Sequence, residues 1–183
     1  MTPEDTAARN ALRARQGGGA RYDAEAAPHG DLLQARRGTA YFARKLNELS
    51  DAELSGPALR DGWTCAQIVA HICYHARFFA HLLEAVRTGM SQPIAENLDT
   101  ETALGATLPP HALRSLFRHA EVHLNVEWRD LTDQDWNAPL HLPDGRAITA
   151  RETPILRAKE VWQGAIDLSH GAPPPDVQRV VLW

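Results

Sequence analysis

Apolar residues recur at helical spacing in four long stretches of this chain. In the first, Leu32, Ala35, Phe42, Leu46 and Leu49 share one face of a helix from about Asp31 to Leu49. Thr64, with Gln67 three residues on, forms a capping box that opens the second. That helix continues to about Thr88 and stops at Gly89, its stripe being Ile68, His71, Ile72, His75, Phe78, Phe79, Leu82 and Val86. The third begins at Pro110, a residue favoured in a first turn, and presents Leu113, Leu116, Phe117, Ala120, Leu124 and Leu131. The fourth runs from about Thr153 to Ser169 on Ile155, Ala158, Val161, Trp162, Ala165, Ile166 and Leu168, with Gly171 as its stop.

The connections carry signals of their own. Ser50 to Glu53 is a capping box for one short turn, ended by Gly56-Pro57. Thr132 to Trp136 reads as another short turn. Asp144-Gly145 between alternating residues predicts a hairpin before the last helix. The stretch of about 20 residues after Gly89 has little pattern and reads as a long functional loop. These parts predict an all-α four-helix bundle with one long crossover and a small β-hairpin before the last helix.

The ends differ from the middle. Residues 1–30, with Gly17-Gly18-Gly19 and few large apolar residues, read as a flexible N-terminal extension in which a short helix over 4–15 lacks a core face. Residues 31–171 hold the bundle. Residues 172–183 form a Pro-rich tail, stiffened by Pro173-Pro174-Pro175. Its apolar end, Val180 to Trp183, is able to pack on the domain or on a second copy, so a homodimer is allowed.

Composition narrows the function classes. The 183 residues are 44% hydrophobic and 23% charged, ordinary for one globular domain. The formal net charge of -4 gives no basic footprint, so nucleic acid is not expected as a partner. No apolar run approaches the roughly 20 residues that span a bilayer, and no signal-type stretch opens the chain. The expectation is a cytoplasmic protein with no membrane contact and a small-molecule substrate. Cys65 and Cys73 lie eight residues apart on one helix, roughly 12 Å in rise, too far for a disulfide. They are expected to be free and inert, although the helix dipole would lower the pKa of Cys65.

The candidate chemistry is a histidine pair. His71 and His75 stand one turn apart on the apolar face of the second helix. Imidazoles directed into a bundle need partners, because an unpartnered buried polar group costs several kcal/mol or so. A metal ion is one partner, and the i, i+4 spacing suits it. Glu160 is the candidate carboxylate, which makes His71, His75 and Glu160 the expected metal set and His75 and Glu160 the expected catalytic groups. Gln163 and Asp167 are expected behind the ligands, Asp167 receiving an imidazole N–H. Trp63 and Tyr74 are expected beside the site or its substrate. The alternative makes His71 and His75 core histidines bonded to Glu160 or Asp167, or a proton-transfer pair. His81 is expected outside the cluster. His119 and His123, beside Glu127, are expected to be solvated, with a second metal site as the alternative. Trp63, Trp128, Trp136 and Trp162 are expected in the core.

Three stretches give the chain a family resemblance: Leu46 to Leu54; Gly62-Trp63-Thr64 with Val69-Ala70-His71; and Arg157 to Trp162 followed by Ala165-Ile166-Asp167-Leu168. In this order, with Asp144-Gly145-Arg146 where a hairpin belongs, the chain resembles the N-terminal metal-binding domain of mycothiol-dependent maleylpyruvate isomerases, within the DinB-like four-helix bundles. The resemblance implies a divalent metal, usually zinc, held by His71, Glu160 and a histidine at position 164. Here position 164 is glycine. His75 is then the expected substitute ligand, with zinc, or else nickel, as the ion; loss of the metal is the other outcome.

The resemblance further implies an enzyme in which a metal activates mycothiol, or another low-molecular-weight thiol, for isomerisation or S-transfer, or activates water for hydrolysis. Two other readings stand beside it. One is a metal-free acid–base catalyst, such as a cyclase or isomerase of a biosynthetic pathway. The other is a non-catalytic protein that sequesters a small molecule for self-protection.

Overall fold

A computed structural model describes residues 24–92 and 97–168 of the chain. The expected N-terminal helix and most of the extension lie outside the described residues, as do Pro93 and the C-terminal tail. Seven helices and one hairpin follow in order: α1 (His29–Glu48), α2 (Asp51–Leu54), α3 (Cys65–Thr88), α4 (Leu98–Gly105), α5 (Pro110–Asp130), α6 (Asp133–Trp136), β1 (Pro139–His141), β2 (Ala147–Thr149) and α7 (Thr153–Asp167). The long helices α1, α3, α5 and α7 make the four-helix bundle, with the hairpin just before α7 as expected. Helix α1 packs chiefly on α7 and α3 chiefly on α5, while α3 also meets α7.

Side-chain caps set where the elements begin. The Thr64 hydroxyl accepts from the Gln67 backbone N–H while the Gln67 side chain accepts from the Thr64 N–H, which satisfies two of the orphan donors of α3. Its other end is Gly89, in the left-handed region at φ 69°. The same reciprocal box opens α2 at Ser50 and α6 at Thr132. Gly145, at φ 83°, takes the positive-φ position of the hairpin turn.

Helix α3 is the central element, and Ile68, Val69, Ala70, Ile72, Cys73, Ala76, Phe79, Leu82 and Leu83 on it are all buried. Trp128, Trp136 and Trp162 are core residues as expected, whereas Trp63 is half-buried.

The crossover after α3 is not a plain loop. It contains α4, capped by Asn97, whose side chain accepts from the N–H groups of Asp99 and Thr100. Helix α4 lies against α3 so closely that a Cβ on Gly105 would stand 2.5 Å from Cε2 of Tyr74. Tyr74 therefore takes part in the α3–α4 contact. Just before the crossover, the Gln92 side chain donates to the Pro139 carbonyl at 2.8 Å and accepts from the His141 N–H at 3.0 Å.

Candidate active site

Helix α3 supplies His71 and His75 and helix α7 supplies Glu160. His71 Nε2 and Glu160 Oε2 lie 3.2 Å apart. The carboxylate sits opposite the ring because α7 crosses α3 with Arg157, Glu160 and Gly164 facing it. The pairing holds the Glu160 carboxyl down to about 2, the hydrogen bond to His71 being the main cause. Glu160 is thus an anion at any ordinary pH, and the His71 proton belongs on Nε2, where it donates to the carboxylate. The other ring nitrogen, Nδ1, is buried and has no hydrogen-bond partner. Trp63 meets the His71 ring edge-on at 5.6 Å between centroids, and the Arg60 guanidinium covers Trp63 at 4.7 Å.

His75 has a different environment. It lies 6.2 Å from the His71 ring and packs edge-on against Phe79. Its Nδ1 faces Nη1 of Arg157 at 3.5 Å. Arg157 is 1% exposed and donates from the same nitrogen to the Ile72 carbonyl at 2.7 Å. Burial first, and the Arg157 charge second, push the His75 pKa down to about 3. His75 is therefore a neutral imidazole whose Nδ1 accepts from a guanidinium and whose proton sits on Nε2.

That arrangement bears on the expected metal set. A zinc-type ion needs three protein donors with lone pairs directed at one point. His71 Nε2 and Glu160 Oε2 converge, but the His75 Nδ1 lone pair is taken by Arg157, and its Nε2 carries the proton. Position 164 does not help. A Cβ there would stand 2.9 Å from Cδ1 of Ile72 and 3.1 Å from Cε2 of Phe42, so core side chains fill the space a ligand would need. The residues present do not complete a three-donor centre. Among the described residues, three ligand-type atoms come within 4.8 Å of one another at His81, Glu84 and His123 instead.

One further expectation is corrected. Asp167 does not receive an imidazole N–H; it accepts from Arg60 Nε at 2.9 Å and from Gln163 at 2.8 Å. Gln163 and Asp167 thus tie α7 to the loop before α3. His81 lies outside the His71–Glu160 pair, as expected, with its ring 5.3 Å from that of His123. Glu127 is 4% exposed and paired with Arg87 Nε at 2.9 Å. Of the two histidines near it, His119 is exposed as expected and His123 is half-buried. Both cysteines are free and buried. Burial raises the pKa of Cys65 despite its place at the helix start, and raises that of Cys73 to about 12.

A cavity of about 450 Å³ opens beside His75 and Glu160. Its apolar wall includes Phe78, Phe79, Leu98, Leu142 and Leu156, and its polar groups include Arg77, Lys159 and Arg146. Arg146 is bound to Asp144 at 2.6 Å across the hairpin turn. The crossover helix and the hairpin thus form two of the walls; the crossover lies in the stretch expected to be functional, whereas the hairpin was expected only as structure. Arg157 was missed too, although its signal was present: it occupies the same apolar stripe as Val161, Gly164 and Leu168.

The fold and the position of His71 and Glu160 invite comparison with known proteins. The model of the mycothiol maleylpyruvate isomerase N-terminal domain matches residues 35–169. This chain belongs to that family. Among solved structures, the mycothiol-dependent maleylpyruvate isomerase superposes with a TM-score of 0.78 at 34% identity, covering 84% of this chain and 65% of that one. A histidine-to-alanine mutant of it gives 0.79 at 33%, with the same coverage. The chain therefore corresponds to 65% of the length of these isomerases. No curated protein matches it. Membership in this isomerase family agrees with a cavity beside Glu160, and no described helix is long and apolar enough to cross a membrane.

Proposed function

We propose that the chain is a thiol-dependent enzyme of isomerase type that acts on a small electrophile without a resident metal. The observation that carries the reading is Glu160 at the wall of the cavity, its carboxylate 3.2 Å from Nε2 of the His71 ring behind it. Support comes from the family, whose solved members are mycothiol-dependent.

The proton chemistry follows from the pair. A thiol in the cavity gives its proton to the Glu160 carboxylate, the member of the pair that lines it. The His71 N–H, bonded to the same carboxylate, orients it for the transfer. The thiolate adds to an alkene carbon conjugated to a carbonyl, and the π electrons move to the carbonyl oxygen. Rotation about the resulting single bond precedes collapse of the enolate. Collapse expels the thiolate, which recovers its proton from Glu160. The net change is cis–trans isomerisation with the thiol regenerated. The apolar wall suits a substrate body, and Arg77 and Lys159 suit an acidic end group.

A second reading rests on the 3.2 Å convergence of His71 and Glu160. In it, His71, Glu160 and a repositioned His75 would hold zinc or nickel, which would supply Lewis acidity toward a thiol or a water, with S-transfer or hydrolysis as further outcomes. The test is turnover of maleylpyruvate with mycothiol, before and after chelation, in wild type, His71→Ala and Glu160→Gln. Thiol-dependent turnover that survives chelation and fails in both variants is the expected result. Turnover abolished by chelation, with metal lost in His71→Ala, would favour the second reading. Turnover without thiol would point to a metal-free cyclase or isomerase, and tight binding without turnover to sequestration.

A further inference from the structure

We propose that His81, Glu84 and His123 form a divalent-metal site of zinc type that clips α3 to α5. One ligand atom from each of the three lies within 4.8 Å of the other two. Two imidazoles and one carboxylate make a donor set that zinc accepts while keeping a position open. His81 and Glu84 stand at i, i+3 on α3, so one helix face presents both, and His81 Nδ1 is already 3.5 Å from Glu84 Oε2. His123 approaches from α5, its ring tilted 77° to that of His81.

The support behind His123 argues for more than chance proximity. Its Nε2 lies 3.7 Å from Oε1 of Glu127. Glu127 is fixed in turn by Arg87, whose Nε and Nη2 donate at 2.9 and 3.3 Å. The 3.7 Å separation is too long for a hydrogen bond, so Glu127 sets a negative charge beside the imidazole and leaves the ring able to turn a nitrogen toward a metal. The Arg87 charge is taken up by Glu127, so Glu84 remains the anion facing the ion. His81 and Glu84 each expose 45% of their side chains, which gives an ion a path in from solvent.

This site is separate from the His71–Glu160 pair. His71 and His81 are ten residues apart on one helix, roughly 15 Å in rise. It does not rest on the proposed function, although His81 also borders the cavity.

The experiment uses the full chain, stripped of metal by a chelator and titrated with zinc chloride in a calorimeter. Bound zinc is counted by elemental analysis, and the thermal midpoint is followed with and without zinc. Wild type and His71→Ala are expected to bind one equivalent and to melt higher with zinc. His81→Asn and His123→Gln are expected to bind at least tenfold more weakly and to lose the thermal shift. Should His123→Gln fail to fold, the exposed His81 variant carries the test. No zinc on wild type, undiminished binding by His81→Asn, or binding lost only in His71→Ala would each overturn the proposal.

Discussion

The β-carbon that residue 164 lacks would lie 2.9 Å from Cδ1 of Ile72. Helices α7 and α3 therefore meet at a glycine just where the family resemblance calls for a ligand. Adding atoms to such a contact forces side chains or backbone to shift, at about 1–3 kcal/mol. Gly164→Ala is expected to lower unfolding stability by that amount, and Gly164→His by more. Pairing Gly164→Ala with Ile72→Val, which trims the opposing side chain, should recover part of the loss. Chemical denaturation of the three variants measures this; a neutral Gly164→Ala would mean the space is not filled.

Activity should depend on both halves of the His71–Glu160 pair. Glu160→Gln keeps the shape and removes the carboxylate that takes the thiol proton. Loss of a positioned acid–base group costs about 10²–10⁴-fold in rate. Both Glu160→Gln and His71→Ala are expected to lower kcat on that scale, with a smaller change in the thiol KM. Steady-state kinetics with varied thiol separates the two parameters.

Two groups shape the acid side of the stability curve. His75 has an ordinary value of 6.5 and a folded value of about 3, so the unfolded chain binds its proton first. Stability from this group is full above 6.5 and is lost as the pH falls toward 3. Glu160 starts lower: its contribution is full above 4.5 and is lost as the pH falls toward 2. His75→Gln is therefore expected to flatten the decline between pH 6.5 and 4.5. Glu160→Gln should leave that interval intact and alter only the region below it. Denaturation free energies measured in steps from pH 7 to pH 3 distinguish the two.

Arg157 depresses the His75 value, but burial is the larger cause. Arg157→Met removes the charge and keeps the ring enclosed. The His75 titration, followed by NMR of the ring protons, should move upward yet stay below 6.5. A value unchanged from wild type would mean that the guanidinium does not sense the imidazole.

The bundle was legible because its signals are local. Thr64 with Gln67, Gly89, Pro110 and Asp144-Gly145 each act through backbone hydrogen bonding within a few residues, and each marks a real boundary. Helix α4 was missed because it has only eight residues and buries only Thr102 and Gly105, too little for a periodic stripe. His71 and Glu160 were paired through the family resemblance, which implies a ligand at each position, and the fold brings them to 3.2 Å. His75 was added to the same cluster from its i, i+4 spacing, yet its partner is Arg157, whose place on the apolar stripe of α7 signals burial but not which group it meets. Asp167 went astray likewise: spacing put it on the right helix, but Arg60 on the preceding loop reached it first. Contacts between distant segments decide such cases, and one sequence does not encode them in a readable period.

The Gln92 amide, with its C=O and NH₂ aimed at the His141 N–H and the Pro139 carbonyl, imitates one peptide unit of a neighbouring strand. A short hairpin otherwise offers those two groups to any extended chain that drifts past. Here the ladder is terminated by a side chain that has no further backbone rung to offer. The ribbon that walls the cavity is thereby closed to recruitment by other strands, and two amide hydrogen bonds moor it to the segment that follows α3.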